Sequence, residues 1–242
     1  WSIAGFGDLD GDYRDDLIMG GTLDQTAGPY VVYGKANQVT VDLAAPGSFA
    51  VLADRTDGLN EGIRLSNSLI GDVNGDGLAD MILGADGATV DGQSFVGKAY
   101  VLFGKEARST FDPSNLGNGG FEIIGDPAQK LFISDQGISG LGDFNGDGFS
   151  DVAIGSTNGN GIVYVVFGKG DLADVDLANS NASSISITGE DGGRAGETLS
   201  GAGDVNGDGF ADLLIGDTFS DRAYVIFGSA SPVDINLAAL GT

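Results

Sequence analysis

Asp72-Val-Asn-Gly-Asp-Gly-Leu-Ala-Asp80 places oxygen-bearing side chains at positions 1, 3, 5 and 9 of a nine-residue stretch. The pattern returns as Asp143-Phe-Asn-Gly-Asp-Gly-Phe-Ser-Asp151 and as Asp204-Val-Asn-Gly-Asp-Gly-Phe-Ala-Asp212. A looser copy opens the chain: Asp8-Leu-Asp-Gly-Asp-Tyr-Arg-Asp-Asp16. Several oxygens on a short, sharply turned backbone are what a hard divalent cation requires. The Asn-Gly and Asp-Gly pairs supply the turn.

The candidate ligands follow from this spacing. They are Asp8, Asp10, Asp12 and Asp16; Asp72, Asn74, Asp76 and Asp80; Asp143, Asn145, Asp147 and Asp151; Asp204, Asn206, Asp208 and Asp212. The position-7 residues Arg14, Leu78, Phe149 and Phe210 would add a backbone carbonyl each. A bidentate final Asp would bring each set toward the roughly six to eight oxygens that Ca²⁺ prefers. With no nitrogen or sulfur donor in the loops, Ca²⁺ is favoured over transition metals. Mg²⁺ fits less well, because it prefers a rigid octahedron and keeps its waters. The expectation is about four Ca²⁺ per chain, one for each loop. An EF-hand would need Glu at position 12 and flanking helices. Position 12 is Met19, Leu83, Ile154 or Ile215, each within an apolar run. Hairpin-turn chemistry alone would explain one such stretch; four copies at one phase favour the cation site. In the first loop Tyr13 stands where the others have Gly, and Asp10 and Asp15 add charge.

Each loop leads at once into a short apolar run closed by Gly: Leu17 to Gly20, Met81 to Gly84, Val152 to Gly155, Leu213 to Gly216. After a variable loop comes a second run: Tyr30 to Gly34, Tyr100 to Gly104, Tyr164 to Gly168, Tyr224 to Gly228. These runs are rich in β-branched and aromatic residues and too short for helices, so they predict strands. A segment with Asp or Asn before Leu follows, for example Asp176-Leu177 and Asn236-Leu237. In three units an alternating run then predicts an outer strand: Phe49 to Leu52, Phe121 to Ile124, Ile185 to Thr188. A Gly-rich run before each loop predicts a crowded inner strand. Four strands per unit, at a period of 61 to 71 residues, predict an all-β chain of four-stranded antiparallel blades, a β-propeller. The expected units span approximately 1–53, 54–125, 126–189 and 190–242, with no linker between them.

These motifs resemble the FG-GAP repeat of integrin α-subunit propellers and related bacterial extracellular proteins. The resemblance rests on Gly-Asp-x-Asn-Gly-Asp-Gly-x-x-Asp followed by Tyr-Val-Φ-Phe-Gly, and it covers essentially the whole chain. It implies an extracellular, Ca²⁺-binding β-propeller, secreted or at the cell surface, with an adhesion or scaffold role and no catalysis of its own. The family usually closes its ring with seven blades, so these four units would be part of a larger ring. The fourth unit lacks a visible outer strand. Its Tyr224 strand is therefore expected to offer an unpaired edge, open to strand pairing or self-assembly.

Composition narrows the alternatives. The chain carries 35 acidic against 11 basic residues, a net charge of -24. That balance argues against nucleic acid and anionic membranes as partners. Four Ca²⁺ would still leave about -16. With no Cys and no His, thiolate sites, disulfides, His-based zinc sites and Ser-His-Asp chemistry are excluded. No apolar run approaches the roughly 20 residues of a membrane-spanning helix.

The loops opposite the acidic ones vary most, and variable loops on a rigid scaffold are where partners bind. Arg55, Arg64, Arg194 and Arg222 are the candidate contacts there, for a protein or a glycan ligand. Two further readings stay open. One is a carbohydrate-binding module, using loop aromatics such as Phe95 and Phe219. The other is the non-catalytic propeller part of a secreted polysaccharide-active enzyme. The recurring Tyr30, Tyr100, Tyr164 and Tyr224 fit core packing or sugar stacking. Asn181-Ala-Ser183 has the form of an N-glycosylation acceptor, a short motif that also arises by chance.

Overall fold

The computed structural model describes residues 3–5, 7–19, 30–36, 50–51, 67–106, 112, 115–130, 137–179 and 183–240. Arg55, Arg64 and the Asn181 acceptor lie outside them. Among the described residues, seventeen strands form four sheets. The first contains β1 (Ile3–Gly5), β2 (Leu17–Met19), β3 (Tyr30–Val32) and β4 (Ala50–Val51) in sequential antiparallel order. The second repeats this with β5 (Asn67–Gly71), β6 (Asp80–Ala85), β7 (Lys98–Leu102) and β8 (Gly120–Ile124). In the third stand β9 (Ile138–Gly142), β10 (Asp151–Ser156), β11 (Ile162–Val166) and β13 (Ser184–Thr188). The fourth has β14 (Thr198–Gly203), β15 (Asp212–Asp217) and β16 (Arg222–Ile226), with no outer strand among the described residues. No α-helix occurs among the described residues.

The sheets are blades packed face to face, and the core lies between them. Strands buried on both faces read as continuous apolar runs, as β6, β10 and β11 do. Ile82, Val101 and Phe121 of the second blade meet Val152, Ile154 and Tyr164 of the third. The other face of the third blade, with Ala153, Val163 and Val165, meets Leu213 and Ile215 of the fourth. Tyr164 is buried in the first of these interfaces, and Tyr100 is buried in a separate small cluster with Ala85, Ala88 and Leu116, so both fill the packing role.

The inner strands β1, β5, β9 and β14 stand side by side. A Cβ on Gly140 would come within 2.7 Å of the Ile70 backbone, and one on Gly201 within 2.5 Å of the Gly140 carbonyl oxygen. Small residues at those positions permit the approach.

One connection was not predicted. After the third strand of a blade the chain turns back and lays two residues beside the outer strand of the preceding blade. β12 (Val175–Asp176) runs parallel to β8, and β17 (Ile235–Asn236) runs parallel to β13. The Asp174 and Asp234 carboxylates accept from the amides of Glu122 and Ser186 at 2.8 and 2.7 Å. Leu177 and Leu237, next in the chain, are buried. In the third and fourth units the Asp/Asn-Leu segment is thus a strap that closes the outer edge of the preceding blade, where an exposed strand would invite aggregation.

Candidate metal centres

In each blade the acidic loop joins the inner strand to the next strand, so all four loops lie at the same end of their sheets. Asp72 shapes its loop from position 1. Its Oδ1 accepts from the amides of Gly75 (2.6 Å) and Asp76 (3.1 Å), and its Oδ2 from Gly77 (2.8 Å). Asp143, Asp204 and Asp8 repeat these three bonds in their own loops. Aspartate folding its own downstream backbone is the local physics of an Asx turn. Position 6 needs a left-handed backbone: φ is 89°, 92° and 95° at Gly77, Gly148 and Gly209. Tyr13 takes the same place at φ 63°, its ring 97 % exposed. A side chain in that region costs about 1–2 kcal/mol, which the first loop bears alone.

Position 9 does different work. Asp16, Asp80, Asp151 and Asp212 are fully buried. In each, Oδ2 accepts from the amide at position 2, at 2.8 Å in every blade. Oδ1 accepts from the amide of Gly34, Gly104, Gly168 or Gly228, at 2.7 to 3.0 Å. The last residue of the loop therefore ties it to the corner where the third strand ends. Burial pushes the Asp80 and Asp151 carboxyls up to about 7 against those backbone bonds, and the nearby Asp76 and Asp147 charges push the same way. Burial likewise raises Asp16, with Asp10 and Asp8 adding to it.

Positions 3 and 5 differ between loops. In the last three loops Asn at position 3 donates from Nδ2 to Oδ2 of the position-5 Asp: Asn74 to Asp76 at 2.9 Å, Asn145 to Asp147 at 2.9 Å, Asn206 to Asp208 at 2.8 Å. Oδ1 of that Asp accepts from the amide of Leu78, Phe149 or Phe210. In the first loop Asp10 occupies position 3 and cannot donate as Asn does. There the Arg14 guanidinium reaches Oδ2 of Asp12 at 2.7 Å.

The donor set is all oxygen, and it fits a hard divalent ion. Carboxylate oxygens of Asp8, Asp10 and Asp16 lie within 4.8 Å of one another, with Asp10 and Asp16 buried. Buried like charges at that range repel strongly without a cation between them. The fit is to Ca²⁺-type coordination, flexible and rich in carboxylates.

The loops also join neighbouring blades. The carbonyls of Asp8 and Leu9 accept from the amides of Ala79 and Lys105 in the next blade, at 2.9 and 2.7 Å. Asp72 and Val73 do the same with Ser150 and Lys169, and Asp143 and Phe144 with Ala211 and Ser229. The position-4 glycine of one loop lies under the position-7 side chain of the next: Gly75 under Phe149, Gly146 under Phe210.

The opposite end carries the variable loops. Arg222 pairs with Glu190, which also accepts from the Tyr224 hydroxyl at 2.8 Å. Arg194 stacks over the exposed Phe219 ring at 4.1 Å. The structure brings these two arginines to one loop cluster.

Blades of this strand order, with an acidic loop at the same corner of each, define a repeat protein of the β-propeller class. The FG-GAP repeat model matches residues 66–102, 138–166 and 195–236. The chain belongs to the FG-GAP repeat family. It is similar to integrin alpha-PS2 of Drosophila melanogaster, 29% identical over 90% of this chain and 15% of that protein. It is also similar to mouse (Mus musculus) integrin alpha-7, 34% identical over 60% of this chain and 11% of that protein. A third relative is the phosphatidylinositol-glycan-specific phospholipase D of Bos taurus, 32% identical over 62% of this chain and 18% of that protein. The chain thus spans less than a fifth of each of these relatives.

Proposed function

We propose that this chain is a non-catalytic, Ca²⁺-stabilised propeller module of the extracellular kind, serving adhesion or scaffolding. The observation that carries the reading is the same hydrogen bonding at positions 1 and 9 in four consecutive blades, built wholly from oxygen donors, with three carboxylates gathered within 4.8 Å in the first loop. Each loop would hold one ion through its side chains at positions 1, 3, 5 and 9 and the carbonyl at position 7. In the first loop that carbonyl belongs to Arg14, and in the others to Leu78, Phe149 and Phe210. The ion would offset the repulsion among the carboxylates and fix the corner on which the next blade hangs. Affinities of about 10⁻⁴–10⁻³ M, the range of extracellular modules, would load the sites only where Ca²⁺ is millimolar.

The variable-loop end would take the partner. Arg194 and Arg222 are held by Phe219 and Glu190, so they present oriented charge at low entropic cost. That favours a protein ligand. Exposed Phe95 and Phe219 keep a glycan as the second reading, which a glycan array with and without Ca²⁺ distinguishes. The fourth blade offers another contact. Its Val205 is 56 % exposed, whereas the matching Val73 is 1 % exposed beneath the third blade. Leu214, Val225 and Phe227 are exposed on the same blade. The surface fits a further blade of this repeat, from the same or another polypeptide.

The cation reading is tested by paired substitutions. Asp147→Ala removes a position-5 ligand and should abolish the Ca²⁺-dependent stabilisation owed to the third loop. Asp15→Ala alters position 8 of the first loop, an exposed residue outside the ligand set, and should leave the Ca²⁺ response near wild type. Melting curves with and without Ca²⁺ decide, and equal effects would count against the assigned spacing.

A further inference from the structure

We propose that Arg14 is the charge-compensating and orienting partner of the first loop, replacing the Asn amide that the other three loops use, and that with Asp10 it sets the cation affinity of that loop. The inference rests on the cation reading above and concerns how one of its sites is tuned.

The geometry is comparative. In three loops Oδ2 of the position-5 Asp is held by Asn Nδ2 at 2.8 to 2.9 Å. The first loop has lost that donor, because position 3 is Asp10. The contact is nevertheless kept, at 2.7 Å, by a guanidinium arriving from position 7. Metal-binding carboxylates need such outer hydrogen bonds to hold their orientation. Leu78, Phe149 and Phe210 occupy position 7 elsewhere, so only the loop that lost its Asn has a cation there.

The charges agree. The last three loops each set three carboxylates around the site. The first sets four, Asp8, Asp10, Asp12 and Asp16, and Arg14 returns the sum over these groups to the same -3, the exposed Asp15 standing outside the ligand set. Arg14 thus offsets the repulsion that Asp10 brings in while no ion is bound. Once an ion is bound, the same guanidinium repels it. Asp10 and Arg14 therefore act in opposite directions on affinity. Tyr13 and Tyr33 both belong to the first unit, and the equivalent positions elsewhere are Gly or Phe. Each unit also carries a tyrosine in its third strand, so the part of the tyrosine-sensitised luminescence of Tb³⁺, a luminescent substitute for Ca²⁺, that Tyr13→Phe removes is the part that reports the first loop.

The test uses the 242-residue chain, with Tb³⁺ titrated and then displaced by Ca²⁺. Tyr13→Phe serves as the control for the signal. Arg14→Leu, which copies the second loop, should tighten binding at the first loop about fivefold, the scale of one exposed ion pair, and should lower the melting temperature of the cation-free protein. Asp10→Asn should weaken binding by about the same factor. The double substitution copies the Asn-and-Leu arrangement of the second loop and should return the affinity to within about twofold of wild type. A merely structural surface pair would shift the melting temperature equally with and without cation and would leave the luminescence titration unmoved. No change with Arg14→Leu, or a weakening that Asp10→Asn deepens, overturns the inference while the other loops still bind. A wild-type chain whose loops bind neither ion overturns the cation reading itself.

Discussion

Adding about 5 mM Ca²⁺ to the chelator-treated protein is expected to raise its melting temperature by roughly 10–25 °C. With dissociation constants of about 10⁻⁴–10⁻³ M, that concentration stabilises the folded state by about 1–2 kcal/mol at each site. Four sites act together, because each loop accepts backbone bonds from the next blade: Asp72 and Val73 hold Ser150 and Lys169, and Asp143 and Phe144 hold Ala211 and Ser229. Tightening one corner therefore supports two sheets. Differential scanning calorimetry in Ca²⁺ and in chelator reads the shift. A shift under about 2 °C, less than a single loaded site supplies, would count against ions being held in these loops.

The second large effect is Asp151→Ala, expected to destabilise the protein by about 3 kcal/mol or more even without Ca²⁺. Asp151 is fully buried. Its Oδ2 accepts from Phe144 and Asn145, at 2.8 and 3.2 Å, and its Oδ1 from Gly168 at 2.8 Å. Alanine leaves these amides without their acceptor, at about 1–3 kcal/mol for each buried group. Burying the carboxylate also has a cost, seen in its pKa being pushed up to about 7, and that part is relieved. The loss of the hydrogen bonds outweighs the relief, because the amides stay where they are. Asp147→Ala makes the contrast: Asp147 is exposed, and its substitution acts mainly through the ion. Urea titration of both variants in chelator separates the two roles. Equal stability of the two without Ca²⁺ would refute the structural role of position 9.

The division of labour between positions 5 and 9 was not legible in the sequence, where both are Asp in one spacing. It depends on Gly34, Gly104, Gly168 and Gly228, which lie 16 to 24 residues further on and come back to the same corner. The strands were legible because β6, β10 and β11 are buried on both faces and carry uninterrupted apolar residues. The inner strands were legible through their glycines, since Gly140 and Gly201 permit backbone contact between neighbouring blades. The parallel straps were not. Two residues such as Val175 and Asp176 are too few to show a period, and only their pairing with Ile123 and Ile124 makes them strand. Asp174, which caps Glu122 from 52 residues away, is by itself one more surface acid. The Arg14 contact with Asp12 was also hidden, because position 7 mattered in the motif only for its carbonyl.

The most direct test of the central claim is to count the ions. The chain, freed of metal by chelation, is dialysed to equilibrium against about 20 mM Ca²⁺, enough to fill more than about nine-tenths of sites with dissociation constants of about 10⁻⁴–10⁻³ M, and bound metal is measured against protein concentration. The loops as built predict close to four Ca²⁺ per chain, falling by one in Asp147→Ala and unchanged in Asp15→Ala. Two ions or fewer in the wild-type chain would contradict the account.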